Sequence, residues 1–318
     1  MRNEDVVKKF KDGATKGGSN NVFIDGQVLY SYGHHFPLLV RSNNIYISNA
    51  DKYSVTTARH QAYAVHYADV SFPFSAFQGM RQTYPNLDNV YAFPDDFFND
   101  MTVIDKTEPR QDLINYYILD ADNKRKYISV NMYNSLSDEQ KTGYCKNEET
   151  RPGATLFQLE KLPGKQFLAS MDREQFYIVE LPNKPIKTVE DAFFQLRPHY
   201  LQNNPKKEFI RQGEWFFVDI TDAIQDKPSK CYRTFQQNEP LPRENGRAHT
   251  ATRLSYLLHV GVGLNNTDRL SGMNAKTPLV MGTIRHQQHG ITKLAKDRIY
   301  AALKNTALNS WSANGNVD

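Results

Sequence analysis

The stretch VFIDGQVLYSYGHHFPLLVRSNNIYIS, residues 22–48, decides how this chain is read. Apolar runs at Val22 to Ile24 and Val28 to Tyr32 flank Asp25-Gly26, a dipeptide that supplies the positive φ values of a tight hairpin turn. Phe36 to Arg41 and Ile45 to Ile47 repeat the pattern around Ser42-Asn43-Asn44. Three or four antiparallel strands are therefore expected here.

Working outward, Thr56 or Thr57 can cap a helix that runs to about Ala68. Ala58, Ala62 and Val65 recur on it at the spacing of one buried face, with His60, Tyr63 and Tyr67 on another. Residues 1–20 are polar and contain Gly13, Gly17 and Gly18, which reads as a loosely held arm. Residues 71–108, broken by Pro73, Pro85 and Pro94, read as irregular connecting structure. A second hairpin is expected at Leu113 to Leu119 and Arg125 to Val130, and a further strand at Phe176 to Glu180. Thr188 caps a short helix that turns Ala192, Phe193 and Leu196 inward and stops at Pro198.

Polar residues from Gln202 to Lys207 read as a linker and divide the chain. Residues 1–204 form an N-terminal α+β domain, and residues 205–318 a basic, β-rich domain built on Trp215 to Ile220 and on a strand-turn-strand unit from Leu279 to Leu294. Residues 295–306 look helical, and the tail from Asn309 frayed. The expected class is α+β, with antiparallel sheets and a few short helices in two domains.

Composition narrows the function. The chain has 318 residues, 39% hydrophobic and 23% charged, and no run of the roughly 18 to 20 apolar residues that a membrane helix needs. Its first residues are charged and lack the apolar core of a secretory leader, so a cytoplasmic protein is expected, without a membrane partner. Two cysteines, Cys145 and Cys231, stand far apart with no CxxC or CxxH companion, which excludes a disulfide framework and a cysteine zinc site. Residues 201–318 hold 16 Lys and Arg against 10 Asp and Glu, a net charge of +6, while residues 1–200 carry −2. The basic half is thus the candidate for meeting RNA or DNA. The 18 Tyr and 18 Phe can stack on bases or fill β-rich cores.

Histidine and arginine concentrate in a few segments. In Tyr30 to Pro37, His34 and His35 can share one side of a strand only if Gly33 bends it. Tyr53 to Gln61 place Thr56, Thr57, Arg59 and His60 at a helix N-terminus, where free N–H groups and the helix dipole favour a phosphate. Arg211 and Glu214 sit at the mouth of an apolar strand, where they can pair. The last two segments contain Arg247 and His249, then Arg285, His286 and His289.

Three imidazoles that converge have two uses. Neutral, they can bind a zinc-like metal whose water becomes nucleophilic. Alternatively one acts as general base and another as general acid on a phosphodiester, while Arg285 and Arg247 neutralise developing charge. His249-Thr250-Ala251-Thr252 also fits the HxTx pattern of two-histidine phosphoesterases, but no second copy is present. Phosphate-loop, GxGxxG, GxSxG, HExxH and PCxxC signatures are absent, and the sequence leaves the cofactor unknown.

Taken together, Tyr30 to Pro37, Tyr53 to Gln61, Leu181-Pro182 with Thr188 to Ala192, Arg211 to Phe217, His249 and Gly282 to His289 resemble a set of uncharacterised proteins of bacterial, bacteriophage and large-virus genomes. That group has no assigned activity, so the resemblance implies a viral or mobile-element setting and no reaction. The expectation is a nucleic-acid-directed protein, either a histidine-dependent phosphodiesterase or nuclease, or a non-enzymatic accessory protein that holds nucleic acid or a protein partner.

Overall fold

The computed structural model describes the chain except for residues 173–174, 183, 225–231, 243–248, 259–272, 274–275, 287–289, 313–314 and 317–318. It opens with a helix, α1 (Asn3–Lys11), where the sequence suggested a loose arm. Asp5 accepts the Arg2 backbone N–H at its start, and Val6, Val7 and Phe10 form a narrow buried stripe. Three apolar residues at that spacing suffice to dock a helix that is otherwise polar. Strands β1 (Lys16–Gly18), β2 (Val22–Asp25), β3 (Val28–Ser31), β4 (Gly33–Ser42) and β5 (Ile45–Asn49) then form the antiparallel meander that the opening stretch predicts. Asn43 and Asn44, both with positive φ, turn β4 into β5.

Helix α2 (Val55–Val65) carries the chain from β5 to β6 (Val70–Phe72), which pairs parallel to β5. Its cap is Ser54, not Thr56 or Thr57: the Ser54 hydroxyl accepts the Thr57 N–H at 3.1 Å. The buried face is also reversed. Thr57, His60 and Ala64 point inward, while Ala58, Ala62 and Val65 face solvent. Hydrogen bonds available to His60 inside the fold outweigh the apolar character of a few alanines.

Residues 71–108 are regular rather than irregular: β6 leads into α3 (Phe74–Thr83), then α4 (Pro94–Asn99) and β7 (Met101–Lys106). Their prolines sit where proline is tolerated, with Pro73 capping α3 and Pro94 in the first turn of α4. Next come β8 (Arg110–Leu119), β9 (Arg125–Ser129), α5 (Val130–Asn134), α6 (Asp138–Lys141) and β10 (Cys145–Arg151), with strand order β10-β8-β9. β11 (Thr155–Leu159) returns to pair with β7, so residues 107–154 form an arm inserted between two paired strands. At its root Gly153 lies so close to the Thr107 carbonyl that a Cβ would fall 1.9 Å from that oxygen.

β12 (Gln166–Asp172) and β13 (Gln175–Glu180) extend this second sheet, and α7 (Val189–Gln195) covers it, with the Thr188 hydroxyl accepting the Asp191 N–H as expected. Phe72, Phe74, Phe77, Phe97, Phe98, Phe157, Phe167 and Phe176 fill one core that the first two sheets share with α3 and α4, which accounts for much of the aromatic content.

A short helix, α8 (His199–Asn203), precedes β14 (Ile210–Gln212) and β15 (Trp215–Asp219). After α9 (Thr221–Ile224) follow β16 (Gln236–Pro240), β17 (Thr250–Tyr256), β18 (Pro278–His286), β19 (Gly290–Lys293) and β20 (Tyr300–Lys304). Their order is β14-β15-β20-β18-β17-β16, with β19 also beside β18. Both faces of this sheet are covered: Trp215, Phe217, Val280, Ile284 and Ala302 pack on one, Phe216, Val218, Leu279 and Ala301 on the other. That double burial makes β20 a strand where residues 295–306 had looked helical. The described residues of the tail also form strands where fraying was expected. β21 (Ser310–Ser312) pairs with β13 and with β22 (Gly315–Asn316), so strands beyond residue 205 enter the sheet of residues 101–180. Among the described residues no helix is long and apolar enough to cross a membrane.

Candidate functional site

The hairpin of β14 and β15 turns at Gly213, whose φ of +59° suits glycine, and presents Glu214 at the end of the sheet. His249 enters β17 beside it, with its Nδ1 3.7 Å from a Glu214 carboxylate oxygen. His286 ends β18 and stacks on His249, the ring centroids 4.2 Å apart and the planes inclined by 15°. The expected convergence of these two histidines is thus met, although both are buried, at 3% and 7% exposure.

Arg285 does not join them. It precedes His286 on a regular strand, and successive side chains alternate between faces, so Arg285 is exposed while Ile284 and His286 point into the protein. His289 and Arg247 lie outside the described residues. Rings in face-to-face contact leave no space between them for a scissile phosphate, which a general acid and a general base must flank. Among the described residues no group of three or more His, Cys, Asp or Glu side chains is placed to hold a metal ion. Arg211 donates its Nε–H to the Gly213 carbonyl at 3.0 Å and lies over the Tyr177 and Phe216 rings.

At the start of α2 the expected phosphate group divides in two. Thr57 and His60 are buried; Thr56 and Arg59 are exposed. His60 is bonded on both ring nitrogens, with Asn3 Nδ2 at 3.0 Å from Nε2 and Ser31 Oγ at 2.8 Å from Nδ1. Burial pushes its pKa below the ordinary histidine value. It pins α1 and β3 to α2 and is out of a ligand's reach.

Exposed aromatic residues flank α2: Tyr53 precedes it, and the Tyr32 ring lies 5.4 Å from that of His60. Tyr32, at the β3–β4 turn, holds a φ of +61°, rare for a bulky residue, and its ring is 52% exposed. Tyr53 is 68% exposed and lies 6.1 Å from the His35 ring and 5.4 Å from Phe36. The β3–β4 ladder slips between Gly33 and Pro37, which pair with Ser31 and Tyr30, and His34 and His35 both reach the surface there, His34 against Phe23 and Tyr30 and His35 beside Tyr53. His34 is occupied by Asp25, its Nε2 3.0 Å from the carboxylate. Lys52 and Arg59 are exposed on the same segment as Tyr53. Histidine content marks these segments in the sequence, whereas the exposed tyrosines carry no local signal, because tyrosine in a β-rich chain is more often core.

One open groove is lined by Tyr200, Lys206, Lys207, Asp219, Asp222 and Arg298, among others. It is no simple anion site, because Arg298 is bonded to Asp219 at 2.6 Å and to Asp222 at 3.1 Å. Comparison with protein-family models, with curated proteins and with solved structures found no match.

Proposed function

We propose that this protein holds nucleic acid without cleaving it, as an accessory protein of the viral or mobile-element kind. The observation that carries this reading is the segment around the start of α2, which exposes Lys52, Tyr53 and Arg59, together with the exposed Tyr32, whose ring meets that of His60 on the same helix. Aromatic faces accept bases by stacking and cations meet the phosphates between them, a combination that binds without a nucleophile. Strain at an exposed residue such as Tyr32 persists where the surrounding structure holds it for a purpose. The buried, stacked state of His249 and His286 favours holding over hydrolysis.

The test is a binding and cleavage assay with labelled RNA and DNA over a range of salt, with and without chelator. Binding should weaken steeply with salt and leave the strand intact. Arg59→Ala should reduce the salt slope by about one, and Tyr53→Ala should weaken binding at every salt concentration. Absence of binding, or cleavage by the unmodified protein, would overturn the proposal.

A further inference from the structure

The arm of residues 107–154 has two unlike faces. One is closed by its own helices: Tyr116 of β8 stacks on Tyr133 of α5 with centroids 3.4 Å apart, Tyr144 meets Tyr133 edge-on, and Ile128 is buried. On the other face the register sets Cys145, Tyr117 and Tyr127 directly across from one another, one on each strand. Alternation adds Leu119 and Arg125 to that face. It is open: Leu119 is 51% and Tyr127 47% exposed, and Arg125 and Cys145 lie at the surface.

Its polar groups are arranged around the rings. The Arg125 guanidinium sits 4.7 Å over the Tyr117 ring and donates from Nη1 to the Tyr127 hydroxyl at 3.4 Å, so one cation braces both rings. The ring centroids are 5.7 Å apart. Arg125 belongs to this face of β9, an edge strand; Lys126 follows it and alternation turns it to the other face, and Lys124 precedes the strand, 3.8 Å from an Asp122 carboxylate oxygen; all three are exposed at the same edge. Asp120 is engaged in the turn, where it accepts the backbone N–H groups of Asp122 and Lys124.

We infer that this face is a second binding surface, and that its occupant is single-stranded nucleic acid, with bases stacked against Tyr117 and Tyr127 and a phosphate met by Arg125, the cation on this face. The inference rests on the nucleic-acid reading above and adds to it the kind of strand and the place where bases are met. Stacking needs unpaired bases with free faces, and a duplex hides those faces within its own stack. Arg125 on the face, with exposed Lys124 and Lys126 at the same edge of the arm, matches a polyanion. A second copy of the chain fits less well, because a two-fold contact through this face would set the two copies of Arg125 against one another.

The experiment measures fluorescence anisotropy of labelled oligothymidylate and oligouridylate, with a duplex as control. Tyr127→Ala and Tyr117→Ala should each weaken single-strand binding by about 5- to 150-fold. Tyr127→Phe keeps the ring and loses one hydroxyl contact, so it should stay within about threefold. Tyr127→Leu keeps apolar surface without a π face and should behave like alanine. Circular dichroism of each variant checks that the arm remains folded. Bound oligonucleotide should also slow alkylation of Cys145, read by peptide mass mapping that separates it from Cys231.

The outcomes separate this inference from the one it rests on. Loss of binding in Tyr53→Ala and Arg59→Ala with full binding in the two arm variants leaves the proposed function standing and overturns the second surface. The reverse pattern supports the arm and removes the α2 patch. Full retention by Tyr127→Leu, or a dimer in light scattering that Tyr127→Ala dissociates, would overturn it. No binding by the unmodified protein overturns both.

Discussion

Replacing His60 with alanine tests whether this histidine is a pin or a ligand group. The Ser19 hydroxyl donates to Asn3 Oδ1 at 2.6 Å, which turns the Asn3 amide nitrogen toward His60 Nε2. Nε2 therefore accepts, and the proton sits on Nδ1, which donates to Ser31 Oγ. Two hydrogen bonds are lost on substitution, and Ser31, itself buried, is left without that partner. With net values near 1 kcal/mol per bond and a further penalty for stranded polar groups, the expected cost is about 2–4 kcal/mol. Urea unfolding followed by the fluorescence of Trp215 and Trp311, both buried, reads it.

A pH signature accompanies the loss. Because burial lowers the folded-state pKa of His60, the unfolded chain binds more protons between the two pKa values. This contribution is complete above about pH 6.5, the unfolded value, and falls away as pH drops below it. His60→Gln lacks the titration, so the gap in stability between the native protein and this variant should narrow on acidification. An alanine variant as stable as the native protein would refute the pin.

Trp311 is 1% exposed and packs against Tyr84 and Phe167, so Trp311→Ala should cost about 3–5 kcal/mol in thermal unfolding, where a frayed tail would leave the midpoint unchanged. Gly153→Ala forces a Cβ against the Thr107 carbonyl oxygen, and the expected loss of about 1–3 kcal/mol should come with faster proteolysis of the arm. Buried Glu180 would by burial alone have a raised pKa, but hydrogen bonds from Lys165, Tyr84 and Asn309 outweigh that and hold it below the usual range. Its contribution is present above pH 4.5, its ordinary value, and is lost as pH falls below, so Glu180→Gln should flatten the acid limb of the stability profile.

Local chemistry determined what the sequence could show alone. The meander of β2 to β5 was readable because Asp25-Gly26 and Asn43-Asn44 specify their turns within two residues, and α7 because Thr188 caps it from one position away. Other features depended on partners distant in sequence. Only the tertiary structure placed Arg285 on the face opposite His286, buried His60 between Asn3 and Ser31, and made residues 300–304 a strand covered on both sides. Only it separated Tyr116, which fills the arm's closed face, from its neighbour Tyr117, which lies on the open one. Residues one step apart with the same side chain differ there solely through strand alternation and through which face the helices cover, and burial of that kind is decided by contacts that no local pattern contains.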